Sequence, residues 1–317
     1  LDLTIALVGA LVIVYTVSGG TKAVSLTQRY QMGVILVGMV IAFGMILKQL
    51  PDEVSCGEAV SVAGAMGKLE AVDFSFDFDK RYTFWSGLLG GLFLSLSYFG
   101  TDQSQVQRYL AGNSISASRF GLLFNAVVKI PMQFFILFVG VMVFVFYLFE
   151  EPPVFFNQAT LDSVAQTEYA DELAVLQAEY QSIAAQRSQA TLDLAAALRG
   201  GEEGAIAAAS ERAVEIDAQS RASRAGVKEV IRKAVPGAET KDSDYVFLTF
   251  IVNFLPHGLV GLLIAVIFCA AMSSTASELN ALGSTTTIDF YKTLTRGPVS
   301  DEHHVFVSKL LTAGWGL

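Results

Sequence analysis

Long and nearly uncharged apolar runs are the feature that most constrains the fold of this chain. Residues 32–47 and 258–272 carry no charged side chain, and residues 121–149 carry only Lys129. About 20 apolar residues in a helix span the hydrocarbon core of a bilayer. In lipid only helices and closed barrels satisfy the backbone, and these runs are too long and too little alternating for barrel strands. The sequence therefore predicts an all-α integral membrane protein in a lipid bilayer and excludes a soluble enzyme.

Six membrane segments follow from this pattern. Their approximate bounds are 2–18, 26–48, 84–107, 117–149, 258–288 and 304 onward. Gly19 and Gly20 separate the first two segments, which predicts a tight helical hairpin. A polar, acidic loop at residues 51–83 follows the second segment. Because the chain starts without Met and stops inside an apolar stretch, we interpret it as a fragment of a longer protein.

Charge is concentrated in residues 150–244, which hold 26 of the 51 charged side chains. Apolar residues in the first half of this segment recur at spacings of 3 and 4, as in a coiled-coil seam: Tyr169, Leu173, Leu176, Tyr180 and Ile183. Gly200 and Gly201 then turn the chain into a second helical run. We predict a soluble, extramembrane helical hairpin, which either lengthens a loop or binds a partner protein.

The chain thus divides into three parts. Residues 1–149 form membrane helices, residues 150–244 form the inserted hairpin, and residues 245–317 form a lid helix followed by two more membrane helices. The lid helix, at residues 245–254, is apolar but too short to cross a bilayer.

Several classes of function are excluded. The net charge of −9 and the lack of a basic cluster argue against binding of nucleic acid. His257, His303 and His304 have no cysteine or acid at ligand spacing, and no glycine-rich phosphate loop follows a strand. We therefore expect no enzyme activity and no organic cofactor.

Lys129 is the first candidate functional residue. It lies far inside a long apolar helix, where an isolated ammonium group is costly and tends to mark a site. Either it donates hydrogen bonds to a polar solute, or it pairs with a structural carboxylate such as Asp102 or Glu278.

A polar run from Ser95 to Asp102 is the second candidate. It interrupts an apolar helix with hydroxyl groups, a glycine and an acid. Broken membrane helices expose backbone groups that bind a solute or an ion. The alternative is a face of small residues at which helices pack closely.

The third candidate is the hydroxyl-rich run from Cys269 to Ser277. A hard monovalent cation needs several oxygen ligands, which neighbouring hydroxyls and a helix carbonyl can supply. Serine and threonine in membrane helices more often bond back to carbonyls of their own helix. The residues alone leave both interpretations open.

Three stretches of the chain resemble the sodium:solute symporter family. They are YTVSGGTKAV at residues 15–24, YFGTDQSQVQRYLAG at residues 98–112 and AAMSSTASELNALGSTTTIDFYK at residues 270–292. The resemblance implies a leucine-transporter-like inverted-repeat fold. The six segments would correspond approximately to core helices four to nine, and the hairpin at residues 150–244 would be an insertion. The resemblance also implies a sodium ion held by the carbonyl of Ala270 and the hydroxyls of Ser273 and Ser274.

The same resemblance implies a solute site. Ser95 falls where sugar-transporting members place a polar ligand of the solute, and Tyr98 falls where they place an aromatic inner gate. Lys129 follows Arg108 by 21 residues, as the substrate-contacting lysine follows the corresponding arginine in sugar carriers.

Two residues depart from the family's pattern. By this resemblance, members with a second sodium site carry an acid at the position of Gln28 and a hydroxyl at the position of Ala276. These departures imply one sodium ion per transport cycle.

The family resemblance therefore implies a sodium-coupled symporter for a small polar organic solute, with a sugar or sugar acid favoured. A monocarboxylate, an amino acid or a vitamin is the alternative solute, and a solute sensor on the same scaffold is the alternative function. We expect a multi-pass protein of a bacterial cytoplasmic membrane.

Overall fold

The computed structural model describes residues 2–70, 72–77, 79–80, 82–110, 114–295 and 300–317. Every regular element among them is helical. The helices are α1 (Asp2–Gln49), α2 (Cys56–Ala65), α3 (Phe84–Gly100), α4 (Gln103–Leu110), α5 (Ile115–Phe149), α6 (Gln158–Val164), α7 (Ala170–Gly200), α8 (Glu203–Ala234), α9 (Ser243–Phe254), α10 (His257–Thr285), α11 (Lys292–Leu294) and α12 (Asp301–Gly316). A π-helical turn, Thr286–Tyr291, joins α10 to α11.

The described residues include three helical stretches long and apolar enough to cross a membrane. They are Val24–Gln49, Ile115–Phe149 and His257–Leu294. The predicted segments 2–18 and 84–107 correspond to the shorter apolar helices Ile5–Gly20 and Phe84–Gly100, and the segment from 304 onward corresponds to the 16 residues of α12. Backbone breaks near Gly20 and Thr101 shorten the first two of these elements.

The chain forms two compact units. The first consists of Leu1–Gly38, Val72–Met132 and Gly261–Leu317, and the second consists of Met39–Ala71 and Gln133–Val260.

In the first unit the chain reverses at Gly20. Gly20 has φ 53° and ψ −162°, which interrupts α1. The hydroxyl groups of Tyr15 and Thr27 are hydrogen-bonded at 2.7 Å, whereas twelve residues of straight helix would separate them by about 18 Å. The predicted hairpin at Gly19 and Gly20 is therefore present.

Close helix packing holds the rest of the first unit together. Val12 and Val24 from the two arms of α1 form a buried cluster with Ala276 and Leu279 of α10. A Cβ atom on Gly283 of α10 would lie 2.1 Å from the Thr312 hydroxyl oxygen of α12. Only glycine permits this approach, as is common where membrane helices pack closely.

In the second unit the predicted seam joins α7 to α8. Leu173 and Tyr180 of α7 are buried in one core with Val227 and Ile231 of α8. Gly201 ends α7 in a left-handed conformation, with φ 73°, which returns the chain as the sequence predicts. α7 and α8 thus pack against each other, while an inserted, extramembrane hairpin at residues 150–244 stays a prediction.

The polar loop at residues 51–83 contains a helix that the sequence analysis did not predict. Ser55 and Glu58 form a reciprocal capping box at the start of α2, which satisfies free N–H groups of the first turn. The Glu58 carboxylate accepts a hydrogen bond of 2.6 Å from Arg199 of α7. The loop is therefore partly helical and bound to the helical pair.

Candidate functional site

A cavity of about 570 Å³ lies in the first unit, where α3, α4 and the first part of α5 meet. Its polar lining comes from all three helices: Tyr98 of α3; Gln105, Arg108 and Tyr109 of α4; and Ser118, Asn125 and Lys129 of α5. Its apolar lining includes Met32, Phe99, Leu122 and Met132. An apolar wall with a few polar groups is typical of a site for a small molecule.

A helix break creates this cavity. α3 ends at Gly100, and α4 starts at Gln103 with Asp102 accepting hydrogen bonds from the backbone N–H and the hydroxyl of Ser104, at 2.9 and 2.7 Å. The predicted interruption of an apolar helix is therefore present, at the end of the polar run. It turns the side chains of α4 toward those of α5.

Tyr98 and Lys129, both predicted to contact the solute, line this same cavity. The Tyr98 hydroxyl donates a 2.9 Å hydrogen bond to the side-chain oxygen of Gln105, which joins α3 to α4. Ser95 lies one helical turn before Tyr98, is exposed, and is not among the residues that line the cavity. The structure thus brings together two of the three predicted residues.

Lys129 has no carboxylate partner among the described residues. Asp102, one of the two acids considered for it, instead caps α4. Arg108 is the other charged residue of the lining, and no described lining residue is acidic. The cavity wall is therefore positively charged.

The predicted cation ligands lie on α10 in the same unit. Ser273 is buried, and its hydroxyl donates a 3.1 Å hydrogen bond to the carbonyl oxygen of Ala270. Ligand oxygens lie about 2.3–2.6 Å from a hard cation such as Ca²⁺, so two oxygens this close can share one ion. Ser274 is exposed.

Other hydroxyls of α10 bond back to carbonyls of their own helix. Ser277 donates to the carbonyl of Ser273 at 3.0 Å, and Thr275 donates to that of Ala271 at 3.2 Å. This is the alternative left open by the sequence, and the bond from Ser273 to the Ala270 carbonyl is of the same kind.

Gln28 connects the Ser273 hydroxyl to the cavity wall. Its amide nitrogen lies 3.4 Å from the Ser273 hydroxyl oxygen, and its amide oxygen accepts a 3.0 Å hydrogen bond from Arg108. A second guanidinium nitrogen of Arg108 donates to the Ser277 hydroxyl at 2.6 Å. A positively charged guanidinium thus lies against Gln28, one of the two positions where an oxygen ligand was expected to be lost, and against Ser277, the residue that follows Ala276, the other such position.

The sequence analysis missed several of these polar contacts. Gln105 and Asn125 line the cavity, and Gln31 accepts a hydrogen bond from Ser273 at 3.4 Å. Helical spacing could have placed Asn125 on the same face of α5 as Lys129, since the two residues are four positions apart.

An all-helical membrane fold with a polar cavity at a helix break is the class of structure found in secondary transporters. A model of the sodium:solute symporter family matches residues 1–177 and 222–312. The chain belongs to the sodium:solute symporter family, a family of transporters and not of enzymes.

Individual relatives agree with this assignment. The chain is similar to the sodium/iodide cotransporter of Homo sapiens, at 36% identity over 42% of this chain and 20% of that protein. It is also similar to the sodium-coupled monocarboxylate transporter 2 of Mus musculus, at 35% identity over 35% of this chain and 17% of that protein. The matched region is thus about a fifth of the length of these relatives.

A solved structure supports the fold. It is titled as the substrate-bound outward-open state of a Na⁺-coupled sialic acid symporter, and it matches 99% of this chain and 48% of its own chain with a TM-score of 0.63 and 22% sequence identity. The predicted multi-pass, all-helical membrane fold is therefore confirmed.

Proposed function

We propose that the protein is a sodium-coupled symporter that imports a small organic anion, with a sugar acid or another carboxylate as the solute class. The observation that carries this proposal is the charge of the cavity wall. Lys129 and Arg108 are basic, and no acid lies among the described lining residues. Such a wall binds an anionic group more tightly than a neutral one, because charge-assisted hydrogen bonds are the stronger ones.

The lining also supplies groups that suit a hydroxylated acid. Asn125 and Gln105 offer amide groups, and Tyr98 and Ser118 offer hydroxyls, around the two cations. Two relatives are named for iodide and monocarboxylates, which are anions, and the solved relative is a sialic acid symporter. These names support an anionic solute.

For the coupling ion we propose sodium at the Ala270 carbonyl and the Ser273 and Ser274 hydroxyls. The support is the 3.1 Å separation of the first two oxygens and the position of the set in α10. Sodium bound there favours the outward-open state to the extent that it binds that state more tightly. Solute and sodium then enter in one alternating-access cycle.

We further propose one sodium ion per solute. The guanidinium of Arg108 lies against Gln28 and Ser277, so a fixed positive charge already occupies the region of the expected second ion. Uptake should depend on sodium with a Hill coefficient of about 1. A measured ratio of two sodium ions per solute would refute this.

The residues at 150–244 are proposed to be an extramembrane hairpin. The family model skips residues 178–221, which include the turn between α7 and α8, and this segment of the chain is rich in charge. Placement in a bacterial cytoplasmic membrane stays a prediction.

The test is uptake into proteoliposomes by the full-length protein under an inward sodium gradient, with choline replacing sodium in the control. The solute panel pairs each sugar acid or carboxylate with its neutral analogue. Lys129→Gln should raise the KM for the anion roughly ten- to a hundred-fold, since hydrogen bonds to charged groups contribute about 1.5–3 kcal/mol. Equal uptake of anions and neutral analogues would contradict the proposal.

Arg119→Gln is the matched control for that variant. Arg119 lies on the same helix, carries the same charge and is exposed, as Lys129 is, but it does not line the cavity. Its KM should equal that of the natural protein.

A further inference from the structure

A second polar cavity, of about 250 Å³, lies in the second unit where the last turns of α5 meet α7 and α8. Four basic residues line it: Lys68, Arg187, Arg221 and Arg224. Asp217 is the one acid among the lining residues. The transport proposal makes no use of this cavity.

The Tyr147 hydroxyl is a buried polar group of this lining with no hydrogen-bond partner among the described residues. The Tyr180 hydroxyl and the Nε of Arg187 form no hydrogen bond of standard geometry and interact only with each other. The three residues are 6%, 1% and 7% exposed. A buried polar group without a partner costs about 1–3 kcal/mol, and such groups are rare in folded proteins. One unpartnered hydroxyl and a weakly bonded Tyr180–Arg187 pair around one basic cavity indicate a missing ligand with acceptor atoms.

The other atoms of the Arg187 guanidinium are held in place. One terminal nitrogen donates to the carbonyl oxygen of Tyr147 at 2.7 Å, and the other lies 3.4 Å from the Ser220 hydroxyl and 3.8 Å from Asp217. Burial lowers the pKa of Arg187, but a guanidinium stays charged at neutral pH. Its Nε is therefore a fixed, charged donor.

The local charges do not cancel. Asp217 is shared between Arg187 and Arg221, the latter at 2.7 Å, and Asp242 pairs with Arg224 and with Lys228. The ammonium of Lys68 lies 4.8 Å from the centre of the Phe144 ring and forms no ion pair among the described residues. The cavity wall keeps an excess of positive charge.

From this geometry we infer an oxyanion-binding site where the end of α5 meets the helical pair, in which Arg187, Tyr147 and Tyr180 donate to a phosphate or carboxylate group. Three donors and a positive wall match the acceptor oxygens of such a group. Arg187 and Tyr180 lie in residues 178–221, which the family model does not match. Part of the site therefore lies outside the region that the family model matches, and the transport proposal makes no use of it.

The test measures the melting temperature of the purified protein in maltoside micelles, with sodium phosphate titrated against sodium chloride at equal ionic strength and pH. Phosphate should raise the melting temperature in a saturable way, because a ligand that binds only the folded state stabilises it. A second titration uses short-chain phosphatidic acid. A rise in melting temperature with phosphate would identify the ligand as a free anion. A rise with the lipid alone would identify it as a lipid headgroup, and either result supports the oxyanion site.

The decisive variant is Tyr147→Phe with Tyr180→Phe. It removes one hydroxyl that has no partner and one that interacts only with Arg187, so folding should be retained, and the half-saturating phosphate concentration should rise at least tenfold. The single change Tyr180→Phe serves if the pair folds poorly. Tyr169→Phe is the control, because Tyr169 packs against the same core but does not line the cavity.

Lys129→Gln excludes binding in the solute cavity. The response should survive this change. A response lost in Lys129→Gln but kept in the double phenylalanine variant overturns the inference, as does the absence of a response to both probes.

Discussion

At the scale of single residues, Gly20 decides the path of the chain. Its φ of 53° with ψ of −162° belongs to a region that is essentially restricted to glycine. A Cβ atom at Gly20 would meet no other atom within 4 Å, so the requirement for glycine comes from the backbone and not from packing. The hairpin of α1 depends on this one position.

Gly20→Ala should therefore lower the free energy of unfolding by about 1–3 kcal/mol, the usual cost of holding such a conformation without glycine. Gly9→Ala is the control, since Gly9 lies in the same helix and also has nothing within 4 Å of its Cβ position. There alanine should be neutral or stabilising, because it favours helix. Denaturation in micelles measures both, and equal effects of the two changes would contradict this role of Gly20.

At the scale of elements, the sequence predicted those whose signal is local. The hairpin glycines, the seam of α7 and the polar break before α4 were all predicted from spacing and residue type. The helix α2 was missed, although the Ser55-x-x-Glu58 pattern that caps it was legible as a capping box. The length of α3 was harder to predict, because the break after Gly100 ends an apolar run that composition alone would continue.

The Glu58 contact makes the anchoring of α2 sensitive to acid. The hydrogen bond from Arg199, with those from Ser55, lowers the pKa of Glu58 from 4.5 to about 2. Because the folded-state pKa is depressed, the stabilisation is present above about pH 4.5 and is lost as the pH falls toward 2. Hydrogen exchange of the α2 amides, corrected for intrinsic rates, should show protection falling between pH 5 and about pH 3.

Arg199→Gln should reduce that protection at pH 6 and flatten its dependence on pH. Arg212→Gln, an exposed change on α8, should leave the profile unaltered. An unchanged profile in Arg199→Gln would show that Glu58 does not anchor the helix.

At the scale of the whole molecule, family membership and the broad site followed from motifs, while the connections within the site did not. Gln28 and Ser273 are 245 residues apart in the chain, and Arg108 and Ser277 are 169 residues apart. No local pattern encodes such pairs, because they exist only once several helices have packed. Ser95 shows the reverse case, since its motif position predicted a solute contact and the structure places it outside the cavity lining.

These long-range contacts suggest how the two ligands affect each other. Arg108 lines the solute cavity, Gln28 accepts its hydrogen bond at 3.0 Å, and the Gln28 amide nitrogen lies 3.4 Å from Ser273 beside the Ala270 carbonyl. An anion that draws Arg108 toward the cavity would reorient Gln28, and with it the Ser273 hydroxyl. If sodium lowers the Kd for solute by some factor, solute must lower the Kd for sodium by the same factor.

Gln28→Leu removes this connection while keeping Ala270, Ser273 and Lys129. We expect each ligand alone to bind with a Kd within a few-fold of that of the natural protein. The factor by which one ligand lowers the Kd of the other, the coupling factor, should fall toward one. Equilibrium binding of solute at several sodium concentrations measures both quantities. Gln107→Leu is the control, because Gln107 bonds Asn280 at 3.2 Å and does not line the cavity, so its factor should be unchanged. If Gln28→Leu keeps the coupling factor of the natural protein, the two sites are coupled through the helices themselves and not through this side chain.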